Sequence, residues 1–411
     1  MSLKKHLLSA SGVRKIKGNL LHSIPNPDPY LFSSAYNYFG KAVATTNNYA
    51  IIGAEGNQNE DGTEPDYGRA YIFDVKTGTL LHTLYSPDAE YQSDFGVAVD
   101  ITDNYCVVGQ TKLDSSASDA GRAHVYNTKT GDFLYSVDAV FTYQSGQSQN
   151  FGSKVAISDN HLIVATDAFS EDASNNAAGR AFIYEVTTGN LLHTLENPSF
   201  TGTAAYDRFG SSVGICDKYA IVAARLEDTD GTNSGVAYIY DPASGSLLHF
   251  LTNPNAYSTA DNDAFGFDAK ICDEYAIVSA SGEEHSDGGV GSGIAYIFNP
   301  KTGELLHTLE NPTPSNLSSS DQFAHLGISK KYSIVSAPFE DDTYTGSGVA
   351  YIFDNSTGSL LHTITNPNAT GTTASDNFGR GVSISDDYAV IGALGEEVGT
   401  VTNAGYAYIY G

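Results

Sequence analysis

The chain has 411 residues, of which 41% are hydrophobic and 11% aromatic, and its formal net charge is −27 at pH 7. This charge argues against nucleic acid as a partner, because phosphates are bound by a surplus of lysine and arginine, and equally against an anionic membrane surface. The same acidity favours solubility and fits a cationic partner or divalent ions.

The first 17 residues form a short basic segment without acidic residues, and its charges are Lys4, Lys5, Arg14, Lys15 and Lys17. We expect it to be an arm that docks on an acidic partner or a neighbouring subunit, ahead of a domain spanning residues 18–411. The alternative is a loosely packed terminus. Its apolar run is too short for a secretory signal, so no signal peptide is predicted. No apolar run approaches the ~20 residues that span a bilayer, so no membrane insertion is expected.

A repeated unit begins at Phe39 and recurs at spacings of 55 to 58 residues. The seven units open at Phe39, Phe95, Phe151, Phe209, Phe265, Phe323 and Phe378. Each predicts four short strands: a Phe-Gly opening, an apolar run, a strand like Ala-Tyr-Ile-Tyr and a strand like Leu-Leu-His-Thr-Leu. A fixed period of this length with several strands is typical of a propeller.

The fourth type of strand also occurs at residues 20–24, before the first unit, where no third strand precedes it. The last third strand, at residues 407–410, is followed only by Gly411. We therefore expect the N-terminal strand to complete the last unit. The predicted fold is an all-β, seven-bladed β-propeller with four antiparallel strands per blade, closed by this strand, which leaves no open sheet edge within the ring.

The connections between strands differ in length. Asp/Asn turns join the first two strands, and Thr-Gly or Ser-Gly turns such as Thr77-Gly78 join the last two. Because strands alternate in direction, both tight turns must lie on one face of the disc, and both long connections on the other. We call this second face the long-loop face. Loops displayed on a rigid scaffold commonly carry function, so it is the candidate binding face.

The Phe-Gly openings and the small residues that close the second strands, as in Gly53-Ala54, Ser336-Ala337 and Gly392-Ala393, resemble the FG-GAP repeat. This is the repeat of the integrin α-subunit head and of microbial and viral surface proteins. The resemblance covers residues 18–411 and implies a seven-bladed propeller used mostly for recognition or structure. In that family, calcium is held in a long Asp-rich loop between the first two strands. This chain has a bare turn there, such as Ser158-Asp159-Asn160, so the family's calcium residues have no counterparts.

The connections after the second strands are rich in acidic residues. The candidate binding residues are Glu227, Asp228, Asp230, Glu283, Glu284, Glu340, Asp341, Asp342, Glu396 and Glu397. Calcium takes about six to eight oxygen ligands from such loops. Candidate calcium ligands are therefore Asp228, Asp230, Asp341 and Asp342, although the spacing matches no complete calcium loop. The alternative interpretation is a solvated acidic rim that keeps the protein soluble.

Two further patterns favour structure over chemistry. Histidine recurs in the fourth strands at His22, His82, His193, His249, His307 and His362, with Tyr135 replacing it once. Repetition in successive blades predicts packing, since a single site would not need six copies. The run 210–214 matches a nucleophile elbow by letter, but it falls inside a predicted strand and not at a strand–turn–helix. No catalytic residue is predicted.

The predicted function is a non-catalytic structural and recognition propeller, in a virion or extracellular setting. The best hypothesis is a phage appendage or capsid-associated protein that docks through its basic arm and presents its acidic loop face to a protein partner. One alternative is a bacterial surface adhesion module that binds calcium or glycan; aromatic residues in the inter-blade connections, such as Tyr85 and Tyr206, leave glycan open. A polysaccharide-active enzyme is the second alternative.

Overall fold

The structure of the chain is a computed structural model. It describes residues 15–29, 37–57, 68–88, 93–112, 120–138, 150–167, 178–198, 206–254, 260–284, 291–312, 321–340, 346–368 and 376–411. Within these ranges there are 28 β-strands and no helix. The all-β prediction is confirmed.

The strands form seven groups of four, and each group is one blade. The inner strands are β2 (Val43–Thr45), β6 (Val99–Ile101), β10 (Lys154–Ile157), β14 (Phe209–Ile215), β18 (Phe265–Ile271), β22 (His325–Ile328) and β26 (Phe378–Ile384). The second strands are β3 (Tyr49–Ala54), β7 (Tyr105–Gln110), β11 (His161–Thr166), β15 (Ala220–Ala224), β19 (Ala276–Ala280), β23 (Tyr332–Ala337) and β27 (Ala389–Ala393).

The third and outer strands follow in the same order. The third strands are β4 (Arg69–Asp74), β8 (Arg122–Asn127), β12 (Arg180–Glu185), β16 (Val236–Tyr240), β20 (Ile294–Phe298), β24 (Val349–Asp354) and β28 (Tyr406–Tyr410). The outer strands are β5 (Leu80–Leu84), β9 (Phe133–Asp138), β13 (Leu191–Leu195), β17 (Leu247–Thr252), β21 (Leu305–Glu310), β25 (Leu360–Thr365) and β1 (Leu20–Pro25).

Each blade is a four-stranded antiparallel sheet ordered from the inner strand to the outer strand. In the last blade the order is β26-β27-β28-β1, so β1 supplies the outer strand. The inner strands contact their neighbours all the way round, and β26 contacts β2. The seven-bladed ring and its closure by the N-terminal strand are thereby confirmed.

The Phe-Gly and Gly-Ala motifs bring neighbouring blades into close contact. Phe39 is fully buried, packs edge-on against Tyr71 of its own blade with ring centroids 5.7 Å apart, and shares a hydrophobic core with Val390 and Ile409 of the last blade. A Cβ atom on Gly53 would lie 2.1 Å from the carbonyl oxygen of Gly96, which opens the next blade. Glycine at the end of β3 therefore lets the second strand of one blade approach the backbone of the next.

In five blades the tight turn between the third and outer strands is closed by an Asp or Asn side chain, and in the third blade Glu185 takes this position. In the first blade, Asp74 accepts hydrogen bonds from the backbone N–H groups of Lys76 at 2.8 Å and Thr77 at 2.9 Å. Gly78 then adopts a φ of +69°, a conformation that side chains disfavour. These turns start every outer strand at the same place, on the face opposite the long loops.

The last blade rebuilds this turn from the two chain termini. The Gly411 N–H donates to the Asn19 carbonyl at 3.0 Å, and the Gly411 carbonyl accepts from Lys17 at 3.1 Å and from Asn19 at 3.3 Å. Ile16 is 4% exposed and belongs to the hydrophobic core between the last two blades. Residues 16 and 17 of the predicted arm thus already contact the ring, and the boundary at residue 18 stays a prediction.

Five of the recurring histidines connect an outer strand to the tight turn of the following blade by a hydrogen bond. Ring Nε2–H groups donate to backbone carbonyls in that turn at 3.0 Å, from His22 to Lys76 and from His193 to Ala243. Tyr135 does the same through its hydroxyl, which donates to Val186. At the rebuilt turn, His362 lies 3.1 Å from the Ile16 carbonyl. The interpretation of these residues as structural packing is confirmed at these positions.

Deleting residues 18–24 should lower the melting temperature sharply, because β28 loses its partner and the ring opens. The expected fall is about 5 °C or more, since losing a strand costs several kcal/mol and each 1 kcal/mol is worth somewhat less than the roughly 2–4 °C typical of 150–250 residues. Differential scanning calorimetry measures it. A deletion of residues 1–14, which precede the strand, is the matched control. An unchanged melting temperature in the first variant would contradict closure by β1.

The histidine contact can be tested at one position with its natural replacement. His193→Leu removes the hydrogen bond to the Ala243 carbonyl and should cost about 1–2 kcal/mol of unfolding free energy. His193→Tyr should cost less than half as much, because Tyr135 makes the equivalent contact in the preceding blade. Urea unfolding of both variants measures the difference. An equal loss of unfolding free energy in both variants would show that this hydrogen bond does not contribute to stability at position 193.

Candidate functional site

The predicted acidic residues lie at the long-loop face, but they divide into two groups by burial. Asp228, Asp230 and Glu397 are exposed, and Glu284 is half-buried. Glu227, Glu283, Glu340 and Glu396 are buried. Asp341 and Asp342 lie outside the described residues. Only the first group can meet a partner directly.

The buried glutamates accept hydrogen bonds from tyrosine hydroxyls of the third strands. The hydroxyl of Tyr238 lies 2.8 Å from Glu227 Oε2, and that of Tyr408 lies 2.5 Å from Glu396 Oε2. The remaining two pairs are Tyr296 with Glu283 and Tyr351 with Glu340. For these four glutamates the solvated-rim interpretation is wrong. Their carboxylates point into the blade, where they anchor the start of the long connection.

Buried aspartates sit beside these glutamates, at the end of the connection from the preceding blade. Asn197 Nδ2 donates to Asp207 Oδ2 at 3.0 Å, and Asn253 Nδ2 donates to Asp263 Oδ2 at 2.8 Å. Each Asn–Asp bond joins the two ends of one inter-blade connection. Burial, then the neighbouring Glu227 carboxylate, raises the pKa of Asp207 to about 7. Burial and Glu283 likewise raise the pKa of Asp263 to about 7.

Of the four candidate calcium residues, the structure describes Asp228 and Asp230. Asp228 Oδ1 accepts the backbone N–H of Asn233 at 2.7 Å, and Asp230 is exposed. Across the part of the chain that the structure describes, no three His, Cys, Asp or Glu side chains are grouped so that they could hold a metal ion. Calcium binding stays a prediction.

The described end of the basic arm, residues 15–17, meets the ring on the opposite side. Lys15 and Lys17 are exposed and flank the buried Ile16 at the rebuilt tight turn. Lys4, Lys5 and Arg14 lie outside the described residues. Residue 15 therefore enters the propeller on the tight-turn face. Docking by the arm stays a prediction.

A cavity of about 360 Å³ lies on the ring axis, lined by residues of all seven inner strands or the segments just before them. Its charged lining residues are Lys41, Lys154, Arg225, Lys270, Arg380, Asp167 and Asp268. Five cations thus face two carboxylates in a protein that is strongly acidic as a whole. We call this cavity the channel site. It lies near the long-loop face, because the inner strands begin there.

Burial perturbs the basic groups of the channel site. Burial lowers the pKa of Lys154, and the neighbouring Lys270 lowers it further, while Asp268 opposes the shift. Burial likewise lowers the pKa of Arg225 and of Arg380. Burial and the adjacent Arg380 lower the pKa of His325 to about 3, so His325 is neutral. Convergent, perturbed charges in a cavity are the usual marks of a binding site.

Reasoning from the sequence missed the channel site. Part of its signal lies in the two residues that follow each Phe-Gly or Phe-Ala pair. The charged or polar residues at these positions are Lys41, Ser153-Lys154, Asp268, His325 and Arg380, where other blades have apolar or small residues. An alignment of the seven units at their phenylalanines would have shown these positions. Their convergence needed the closed ring.

Comparison with known proteins identifies the repeat. The FG-GAP repeat model matches residues 33–73, 201–240 and 368–410. No curated protein matches the chain. Among solved structures, the chain is similar to the computationally designed Ika8 protein, with a TM-score of 0.49 and 15% identity over 93% of this chain and 98% of that chain.

Seven four-stranded blades in a closed ring define a seven-bladed β-propeller. The three matched segments fall on the first, fourth and last blades, and the blades between them open with the same buried phenylalanine. The chain is a seven-bladed β-propeller that carries FG-GAP repeats in these three segments. In its described ranges, no helix has the length and apolar character needed to cross a membrane.

Because the pKa values of the two buried aspartates are raised, we expect the free energy of unfolding to fall as the pH rises toward about 7. The pKa of Asp207 and of Asp263 is raised in the folded protein, so their protonated forms stabilise it fully below about pH 4, and this contribution is lost through about pH 7. The double variant Asp207→Asn, Asp263→Asn should flatten this decline. Urea unfolding between about pH 5 and pH 8 measures it.

The control for this experiment is Asp132→Asn, which changes an exposed turn residue. It removes one carboxylate of the same type without touching the buried pairs. Equal pH dependence in the double variant and in the control would show that Asp207 and Asp263 are ionised throughout.

Proposed function

We propose that this FG-GAP propeller is a non-catalytic structural and recognition module whose partner is a protein. One observation carries the proposal: the fold separates two surfaces, with the basic arm entering on the tight-turn face and the long connections gathered on the opposite face. A molecule of this form can attach on one side and present a contact surface on the other. The virion setting stays a prediction.

The long-loop face is the contact surface in this proposal. Its connections are held at both ends by buried hydrogen bonds, as between Asn197 and Asp207 and between Tyr238 and Glu227. Exposed carboxylates project beyond this anchored layer at Asp228, Asp230 and Glu397. Fixed ends with charged outer residues favour a partner that carries a basic patch, since complementary charge speeds encounter and selects orientation.

The outer edge of the disc adds a feature suited to a neighbouring subunit. Every outer strand begins with two large apolar residues that are 38% to 45% exposed. They are Leu20-Leu21, Leu80-Leu81, Phe133-Leu134, Leu191-Leu192, Leu247-Leu248, Leu305-Leu306 and Leu360-Leu361. Recurring exposed apolar residues are a common mark of protein contact surfaces. They support lateral packing in an assembly.

Site-specific photo-cross-linking in the producing cells tests the proposal. A photoreactive residue at position 230 or 397 should capture one defined protein, because both positions are exposed on the long-loop face. The matched controls are positions 244 and 356, which are exposed in tight turns on the other face and should not capture it. Capture from both faces alike, or from neither, would contradict the proposal.

Two further assays separate the alternatives. A glycan array probed in calcium and again in EDTA would favour an adhesion module if binding required calcium. Hydrolysis of a member of a polysaccharide panel would overturn the non-catalytic assignment. We expect no glycan binding and no polysaccharide hydrolysis, together with a protein cross-linked only from the long-loop face.

A further inference from the structure

We propose that the channel site binds a small oxyanion, a phosphate or a carboxylate, at the long-loop end of the ring axis. This goes beyond the proposed recognition role and does not depend on it. The inference rests on the basic groups that line this cavity and on how few of them are neutralised.

Two of the five cations are matched by carboxylates. Lys41 forms an ion pair with Glu55 at 2.5 Å, and Lys270 lies 3.4 Å from Asp268 Oδ1. The other lining carboxylate, Asp167, is already engaged by Arg208 at 3.3 Å. Each of these carboxylates therefore forms its ion pair with a cation other than the remaining three, and at longer range Asp268 attracts Lys154 and Arg380 while Asp167 attracts Arg225.

The remaining three cations are Lys154, Arg225 and Arg380. Across the described residues, no carboxylate lies within ion-pair distance of any of them. Lys154 lines the cavity, where its side chain is reached by solvent although the surrounding ring partly desolvates its ammonium group. An unpaired charge at a partly buried position is costly, and a bound anion removes that cost.

Two neighbouring rings orient the arginines. The Arg225 guanidinium lies over the Phe267 ring, 5.9 Å from its centroid. The Arg380 Nη1–H group donates to His325 Nε2 at 2.8 Å, which occupies the lone pair of that neutral imidazole. One N–H of Arg380 is used in this way, and its other guanidinium donors remain for a ligand. Such preorganised guanidinium groups match the paired oxygens of carboxylates and phosphates.

The cavity size limits the class of ligand. A volume of about 360 Å³ lies at the lower end of the range for small-molecule sites. It accommodates inorganic phosphate or a small dicarboxylate or tricarboxylate, but not a folded partner. Since the lining residues come from separate blades, the ligand would bridge the ring across its axis.

Isothermal titration calorimetry with inorganic phosphate, and separately with citrate, tests the proposal at about 0.15 M sodium chloride, where exposed charges are screened. Binding should be detected with one or both anions below about 10 mM. Arg380→Gln and Lys154→Met should each weaken it about tenfold or more, because each removes a charged donor. The tighter anion identifies the ligand class.

The matched control is Lys129→Met, which removes one positive charge from an exposed tight turn and should change affinity less than about twofold. Circular dichroism and melting of each variant without ligand establish that it folds. Lys154→Met should melt no lower than the natural protein, because it removes an unpaired cation. No binding of either anion by the folded protein, or equal weakening by the control, would overturn the proposal.

Discussion

The pairing of β1 with β28 is the interaction on which the rest of the structure depends. Each blade packs on its two neighbours. The closed ring therefore depends on the last blade, which is assembled from both ends of the chain. There the Gly411 carbonyl accepts two N–H groups from the N-terminal segment, and Gly411 N–H returns one bond to Asn19. His362 then contacts the Ile16 carbonyl as the other histidines contact intact turns. The blade formed from the two ends of the chain therefore has the same turn contacts as the blades formed by a continuous chain.

Charge is sorted by position within this ring. Glutamates that follow the second strands turn inward to tyrosine hydroxyls, while their neighbours Asp228 and Glu397 remain exposed. Basic residues of the inner strands face the axis, and the channel site is cationic although the protein carries a net charge of −27. The negative net charge therefore describes the outer surface of the protein, whereas the lining of the channel site is basic.

The two surfaces proposed to be functional differ in physical character. The long-loop face is broad, acidic and anchored from below, which suits a protein with a basic patch. The channel site is small, enclosed by seven strands and basic, which suits a small anion. They lie toward the same end of the disc, so a partner seated on the long-loop face would cover the entrance to the channel.

The sequence by itself determined the number of blades, the strand order, the tight-turn positions and the closing strand. These follow from local patterns that repeat at a fixed period, and the role of His193 as packing followed from repetition alone. Only the tertiary structure decided that Glu227 and Glu396 are buried. The sequence of an acidic loop is the same whether a given carboxylate is buried or exposed. It also decided that Lys154, Arg225 and Arg380 share one cavity. They belong to the third, fourth and last blades, and only a closed ring brings residues so distant along the chain around one axis.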